Sequence, residues 1–150
     1  MPSDTPFDDG GSAPRNHGPF QDLVGYEIHR GAQGIYFTLA VRRDHINPNG
    51  VVHGGVLMTL LDAAGGGALV DQAIPGTDDV VRSSVTVSLT SELAKPVRQG
   101  VLYASGTVDH LGKLLAYVTM RVCQDALDGT LVARGVATFR IYPRSLETPV

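Results

Sequence analysis

The chain has 150 residues, enough for one domain with a sizeable core and too few for separate cofactor and substrate domains. Its 43% hydrophobic content is ordinary for a globular protein, but 18% charged and 6% aromatic residues are low and 18 glycines are many, which suits a weakly charged surface built for subunit contacts. A net charge of −3 and a pI near 5.9 argue against a nucleic-acid or anionic-membrane partner, since both need a concentration of Lys and Arg.

Residues 1–19 are rich in Pro, Asp, Gly and Ser, a composition expected to form a flexible tail. The first twenty residues carry Arg15 as their one strong base and no apolar run of signal-peptide type, so the expected location is cytoplasmic. The folded domain is expected over 20–143, with a short tail at 144–150. Two strands are predicted at 23–30 and 35–42, joined by the hairpin-type connection Gly31-Ala32-Gln33-Gly34. A loop over 45–55 follows, dominated by Asn47-Pro48-Asn49-Gly50.

Residues 56–70 are apolar at nearly every position, which predicts a helix enclosed on most sides. The run falls short of the roughly 20 residues that a membrane-spanning helix needs. It contains Gly65-Gly66-Gly67, and glycine costs about 0.8–1.0 kcal/mol relative to alanine at each helix-interior position. Close approach to a curved sheet or to a partner chain would offset that cost; the alternative is a helix that ends near Gly65. Four β-rich runs then follow at 80–93, 101–110, 114–124 and 130–142, separated by turn signals such as Lys95-Pro96, Leu111-Gly112-Lys113 and Leu127-Asp128-Gly129. The order of two strands, one helix and four strands predicts an α+β domain of two layers. Cys123, the single cysteine, lies in one of these runs without a basic cluster nearby and reads as a structural thiol.

Asp62 is the one formally charged residue in the helical run. Desolvating a carboxylate without a partner costs several kcal/mol, so Asp62 is either paired to a nearby donor, exposed at a cleft, or kept for function. Upstream, Asn47-Pro48-Asn49-Gly50-Val51-Val52-His53-Gly54-Gly55 leads into the helix N-terminus, where unpaired N–H groups beside glycines can stabilise a carbonyl oxygen gaining negative charge. The same residues could equally form an ordinary turn and loop, with His53 as a capping residue. No Cys/His set has metal-ligand spacing, no phosphate-binding glycine loop follows a strand, and no Gly-x-Ser-x-Gly elbow is present, so neither a metal nor a serine nucleophile is expected.

Asn47-x-x-Gly50-x-x-His53-Gly54-Gly55, followed seven residues later by Asp62, resembles the signature of hotdog-fold acyl-CoA thioesterases of the phenylacetate-degradation type. Asp62-Ala63-Ala64-Gly65-Gly66 and Thr86-Val87-Ser88-Leu89 ahead of Lys95-Pro96 extend the likeness, which covers about residues 20–142. The resemblance implies an antiparallel sheet of six strands wrapped around one long central helix. It also implies a homodimer or homotetramer with active sites between protomers. By position, Gly54 N–H would polarise the thioester carbonyl with help from Asn47, and Asp62 of the other protomer would attack it or activate water. His53 would lie near the sulfur, and Thr86 would supply a hydroxyl that orients water or the acid, although Ser83, Ser84 and Ser88 allow other registers.

The implied substrate is an acyl-CoA with an aryl or a short-to-medium fatty acyl group, and no cofactor is implied beyond the coenzyme A that the substrate carries. Gly55 would line the CoA site, and Arg82, Lys95, Arg98 and Lys113 are candidates for its phosphates. Two other readings belong to different classes: a hotdog dehydratase or hydratase on acyl thioesters, and a non-catalytic acyl-CoA-binding module. Against the first, the helix position such enzymes use for their acid falls near Leu60, which is apolar.

Overall fold

The computed structural model describes residues 18–144, so most of the expected N-terminal tail and nearly all of the C-terminal one lie outside the described residues. The elements in order are α1 (Pro19–Val24), β1 (Glu27–Gly31), β2 (Gly34–Ala40), a single 3-10 turn (Arg43–His45), α2 (Gly54–Leu69), β3 (Ser83–Leu93), β4 (Val101–Leu111), β5 (Leu115–Gln124) and β6 (Thr130–Tyr142). All strands join one antiparallel sheet in the order β1-β2-β4-β5-β6-β3, which makes β1 and β3 its edges. Helix α2 packs against β2, β4, β5, β6 and β3.

The strand expected over 23–30 is corrected: Leu23 and Val24 end the short helix α1, and β1 begins only at Glu27. Pro19 supplies the preset φ of a first helical turn, and Gly25, at φ 86°, supplies the left-handed stop. The freed carbonyls are held from a distance, Leu23 O by the Arg42 guanidinium at 2.9 Å and Val24 O by the buried His45 Nε2 at 2.7 Å. Arg42 is therefore past the end of β2, which stops at Ala40 rather than at the expected 42. The strand expected from 80 begins at Ser83, because Val80 bridges to Ala73 and Val81 N–H donates to Gln72 O in the loop after α2.

The helix runs through its three glycines to Leu69, so the alternative of an end near Gly65 does not hold. One stripe of α2, including Leu57, Leu60, Leu61, Ala64 and Leu69, is buried against Leu39, Leu102, Val118, Met120 and Phe139 from the sheet. A Cβ at Gly65 would lie 2.6 Å from the Phe139 ring, and one at Gly67 would lie 2.7 Å from the Phe37 ring. The sheet returns the fit at Gly106 of β4, where a Cβ would meet the Ala64 carbonyl oxygen at 2.7 Å. Close approach of helix and sheet is thus the offset for the helical cost of Gly65 and Gly67. Cys123 is fully buried in β5, as a small strand residue can be.

Candidate active site

The Asn47 side chain closes the turn before α2: its Oδ1 accepts the N–H groups of Asn49 at 3.0 Å and Val51 at 3.3 Å. Those two donors fix the orientation of the amide, and its NH₂ donates to no described residue. His53 caps α2, with Nδ1 accepting Gly55 N–H at 2.9 Å, so a neutral ring carries its proton on Nε2. Gly54, the first residue of the helix, keeps an N–H with no acceptor among the described residues. Leu93 of β3 lies beside Gly54, where a Cβ would meet its Cδ1 at 2.9 Å, the end of a side chain that is 48% exposed and free to turn aside. His53 and Gly54 thus stand at the positive end of the helix dipole, with Asn47 in the turn that leads to it.

His45, expected in the loop, ends the 3-10 turn and ties it to the start of the helix. Its ring accepts Arg42 N–H at 3.1 Å and its carbonyl accepts His53 N–H at 2.8 Å.

Asp62 lies elsewhere on the helix. Eight residues at about 1.5 Å rise each separate it from Gly54, a displacement of about 12 Å along the axis. It is half-buried, and the Thr86 hydroxyl of β3 donates to Oδ1 at 2.5 Å, while Oδ2 accepts from no described residue. A β-bulge between Thr86 and Ser88 accompanies this placement. Thr86 pairs with Phe139, whose ring faces the helix, whereas after the extra residue Ser88 pairs with Thr138 and turns to the other face beside Asp109 and Tyr117. Ser83 and Ser84 line the cavity along with Asp62.

That cavity, about 260 Å³, opens between the C-terminal half of α2 and the start of β3. Tyr26, Phe37 and Phe139 supply aromatic walls, and Asp62 and Gly66 line it from the helix with Ser84 opposite Gly66. Tyr26 and Gly66 are not among the site residues expected from sequence, because nothing local to them marks a pocket, and Ser84 is expected only as an alternative register for the Thr86 hydroxyl. The Tyr26 phenol is pushed above its ordinary pKa of 10.0, first by burial and then by the negative charge of Asp62.

The candidate CoA contacts divide between two ends of the molecule. Arg82 borders the cavity and donates to Asp71 at 2.7 Å, and Lys113 lies beside Gly76 in the loop after α2. Lys95 and Arg98 follow β3 at the other end of the helix, where the Arg98 guanidinium donates to Gly50 O at 3.0 Å and Gly55 is exposed. One chain thus does not bring the four cations together, nor Asp62 together with Gly54. Leu60 is fully buried in the core, so the helix position expected of a dehydratase acid does not reach a cavity.

A long helix laid into a six-stranded antiparallel sheet, with one carboxylate at a cavity beside the sheet edge, defines the hotdog class of fold. Residues 49–129 match the model of the thioesterase superfamily, and the chain belongs to that family. A Thermoplasma volcanium protein named as a supposed esterase is 31% identical over 88 residues, 59% of this chain and 62% of that protein, so the match spans less than two thirds of that relative. Among solved structures, a Bacillus halodurans protein crystallised with CoA is 29% identical, with a TM-score of 0.73 over 89% of this chain and 83% of that one. The PaaI protein of the Escherichia coli phenylacetic acid degradation operon shares the fold at 20% identity, with a TM-score of 0.69 over 83% of this chain and 85% of that one. Among the described residues, no helix is long and apolar enough to cross a membrane.

Proposed function

We propose that the chain is a cytoplasmic acyl-CoA thioesterase of the phenylacetate-degradation type, cleaving aryl or short-to-medium fatty acyl-CoA to the free acid and CoA. The observation that carries this reading is the Asp62 carboxylate, fixed by the Thr86 hydroxyl with its second oxygen left for the cavity. The CoA held by the Bacillus halodurans relative supports the choice of thioester.

Asp62 acts either on the acyl carbon, displacing CoA thiolate and leaving an acyl-aspartyl anhydride for water to open, or on water, taking its proton as the hydroxide adds to the carbonyl. Both routes place negative charge on the carbonyl oxygen, which Gly54 N–H and the Asn47 amide stabilise, and both end with thiolate leaving near His53. The 12 Å or so between Asp62 and Gly54 of one chain is too long for one carbonyl, so the working unit is a homodimer or homotetramer that pairs Asp62 of one protomer with Gly54 and Asn47 of another. The edge strand β3, with Val85 and Val87 exposed, is the surface by which two chains join. Antiparallel pairing there brings the Arg82 end of one chain toward the Lys95 and Arg98 end of the next, around the CoA phosphates.

A thiol-release screen across acyl-CoA esters tests the activity, and mixing inactive Asp62→Ala with inactive Asn47→Ala protein tests the shared site. Subunit exchange should restore part of the activity; a fully active monomer in sedimentation would refute the shared site.

A further inference from the structure

Three consecutive glycines in α2 have different surroundings. Gly65 and Gly67 are required by Phe139 and Phe37, whose rings occupy the space of a side chain. Gly66 is not required in this way: an added Cβ would meet only the Ser84 Oγ, at an ordinary 3.5 Å. Alanine is the better helix former and fits, so packing within the chain gives no reason for glycine at this position. The space that Gly66 leaves open is part of the cavity, one helical turn beyond Asp62 and on the same face, opposite Ser84.

We propose that Gly66 is a specificity-determining residue, which with Ser84 sets the width of the slot that receives the acyl group beside Asp62. Acyl groups carrying a ring or a branch near the thioester use the width, and an acetyl group does not. The inference rests on the thioesterase reading of this cavity. A single methylene in an apolar pocket changes discrimination by roughly 10- to 200-fold. The methyl of Gly66→Ala enters the cavity opposite the Ser84 hydroxyl, in a space whose other walls include Tyr26, Phe37 and Phe139.

The test is the ratio of kcat/KM for phenylacetyl-CoA to that for acetyl-CoA, measured on the native chain and on Gly66→Ala, with melting temperature and sedimentation on the same preparations. The expected result is a fall in the ratio of roughly 10-fold or more, with melting temperature held or raised and assembly unchanged. An unchanged ratio, or equal loss with both esters, would overturn the proposal while leaving the thioesterase reading intact. Loss of assembly would assign the open space to a partner chain and also overturn it. Should Gly66→Ala fail to fold, Ser84→Thr narrows the slot from the opposite wall with a residue suited to strands, and the same fall is expected. If the native chain hydrolyses no ester, both readings fall together.

Discussion

The two faces of α2 are almost equally apolar, yet they do different things. On one, Leu57, Leu60, Leu61, Ala64 and Gly65 are closed off by the sheet. On the other, Gly55, Met58, Asp62 and Gly66 recur at helical spacing; Gly55 and Met58 are exposed, Met58 by 40%, and Asp62 and Gly66 border the cavity. Apolar surface left open beside a carboxylate is surface awaiting a ligand or a second chain. An acid at Leu61 would be desolvated at a cost of several kcal/mol, whereas one residue further, rotated by about 100°, Asp62 has a hydroxyl donor and an open side. The difference teaches that the helix is both the centre of the core and the wall of the site, divided along its length.

The sharpest way to break this comparison is Asp62→Asn. It keeps the shape of the side chain and removes its charge, so turnover should fall by about 10²–10⁴ while acyl-CoA still binds and the fold survives. If Asp62 were merely a packing partner, the same change would instead lower stability by about 1–3 kcal/mol and leave activity in proportion to folded protein. Melting, binding and hydrolysis measured on one preparation separate the two.

Thr86→Val tests the other side of the same hydrogen bond. Bonds to charged groups are worth about 1.5–3 kcal/mol, and this one faces solvent in the single chain, so a loss of about 10-fold in kcat with KM little altered is expected. Activity equal to that of the native chain would remove Thr86 from the site.

The contrast between the two faces is sharpened by substituting neighbouring glycines. Gly65→Ala drives a methyl into the Phe139 ring, an overpacking cost of about 1–3 kcal/mol set against a helix-propensity gain near 1 kcal/mol. The net, a loss of up to about 2 kcal/mol, should lower the melting temperature by up to about 8 °C. Gly66→Ala, one position along, should hold or gain stability by up to about 1 kcal/mol. Equal effects at the two positions in thermal melts would show that the cavity face is as closed as the core face.

The smallest effect lies at alkaline pH. Because the folded state raises the Tyr26 pKa, it favours the protonated phenol. The resulting stability is complete below the ordinary value of 10.0 and is lost as pH rises through the raised folded value. Asp62→Asn removes one of the two causes, so an ultraviolet absorbance titration should show the Tyr26 transition moving part of the way down. A transition that stays in place would separate Tyr26 from the Asp62 charge.

Much of the fold is legible along the chain. The run at 130–142 coincides with β6, those at 101–110 and 114–124 lie within a residue of β4 and β5, and the enclosed helix is found two residues from its start. The error at Leu23 and Val24 is instructive, because a short apolar stretch beside Tyr26 and Ile28 has no period long enough to separate helix from strand. Pro19 and Gly25 decide it by local backbone geometry, and Arg42 and His45 complete it from across the loop. Val80 looked like strand and is β-bonded, but to Ala73 rather than to the sheet, a choice of partner that alternation does not encode.

The sequence by itself determined what is local: turn residues, runs of apolar side chains, the lone acid in an apolar helix, and the donor-rich turn from Asn47 to Gly54, each of which depends on neighbours a few bonds away. Tertiary structure alone decided which distant groups meet. Thr86 and Asp62 are 24 residues apart, and a bulge in the pairing with β6 accompanies the choice of Thr86 rather than Ser88 for the helix side. Gly65, Gly66 and Gly67 are identical letters in a row. Only the rings packed behind two of them, and the cavity in front of the third, distinguish core from site, because helical rotation points successive residues at different neighbours.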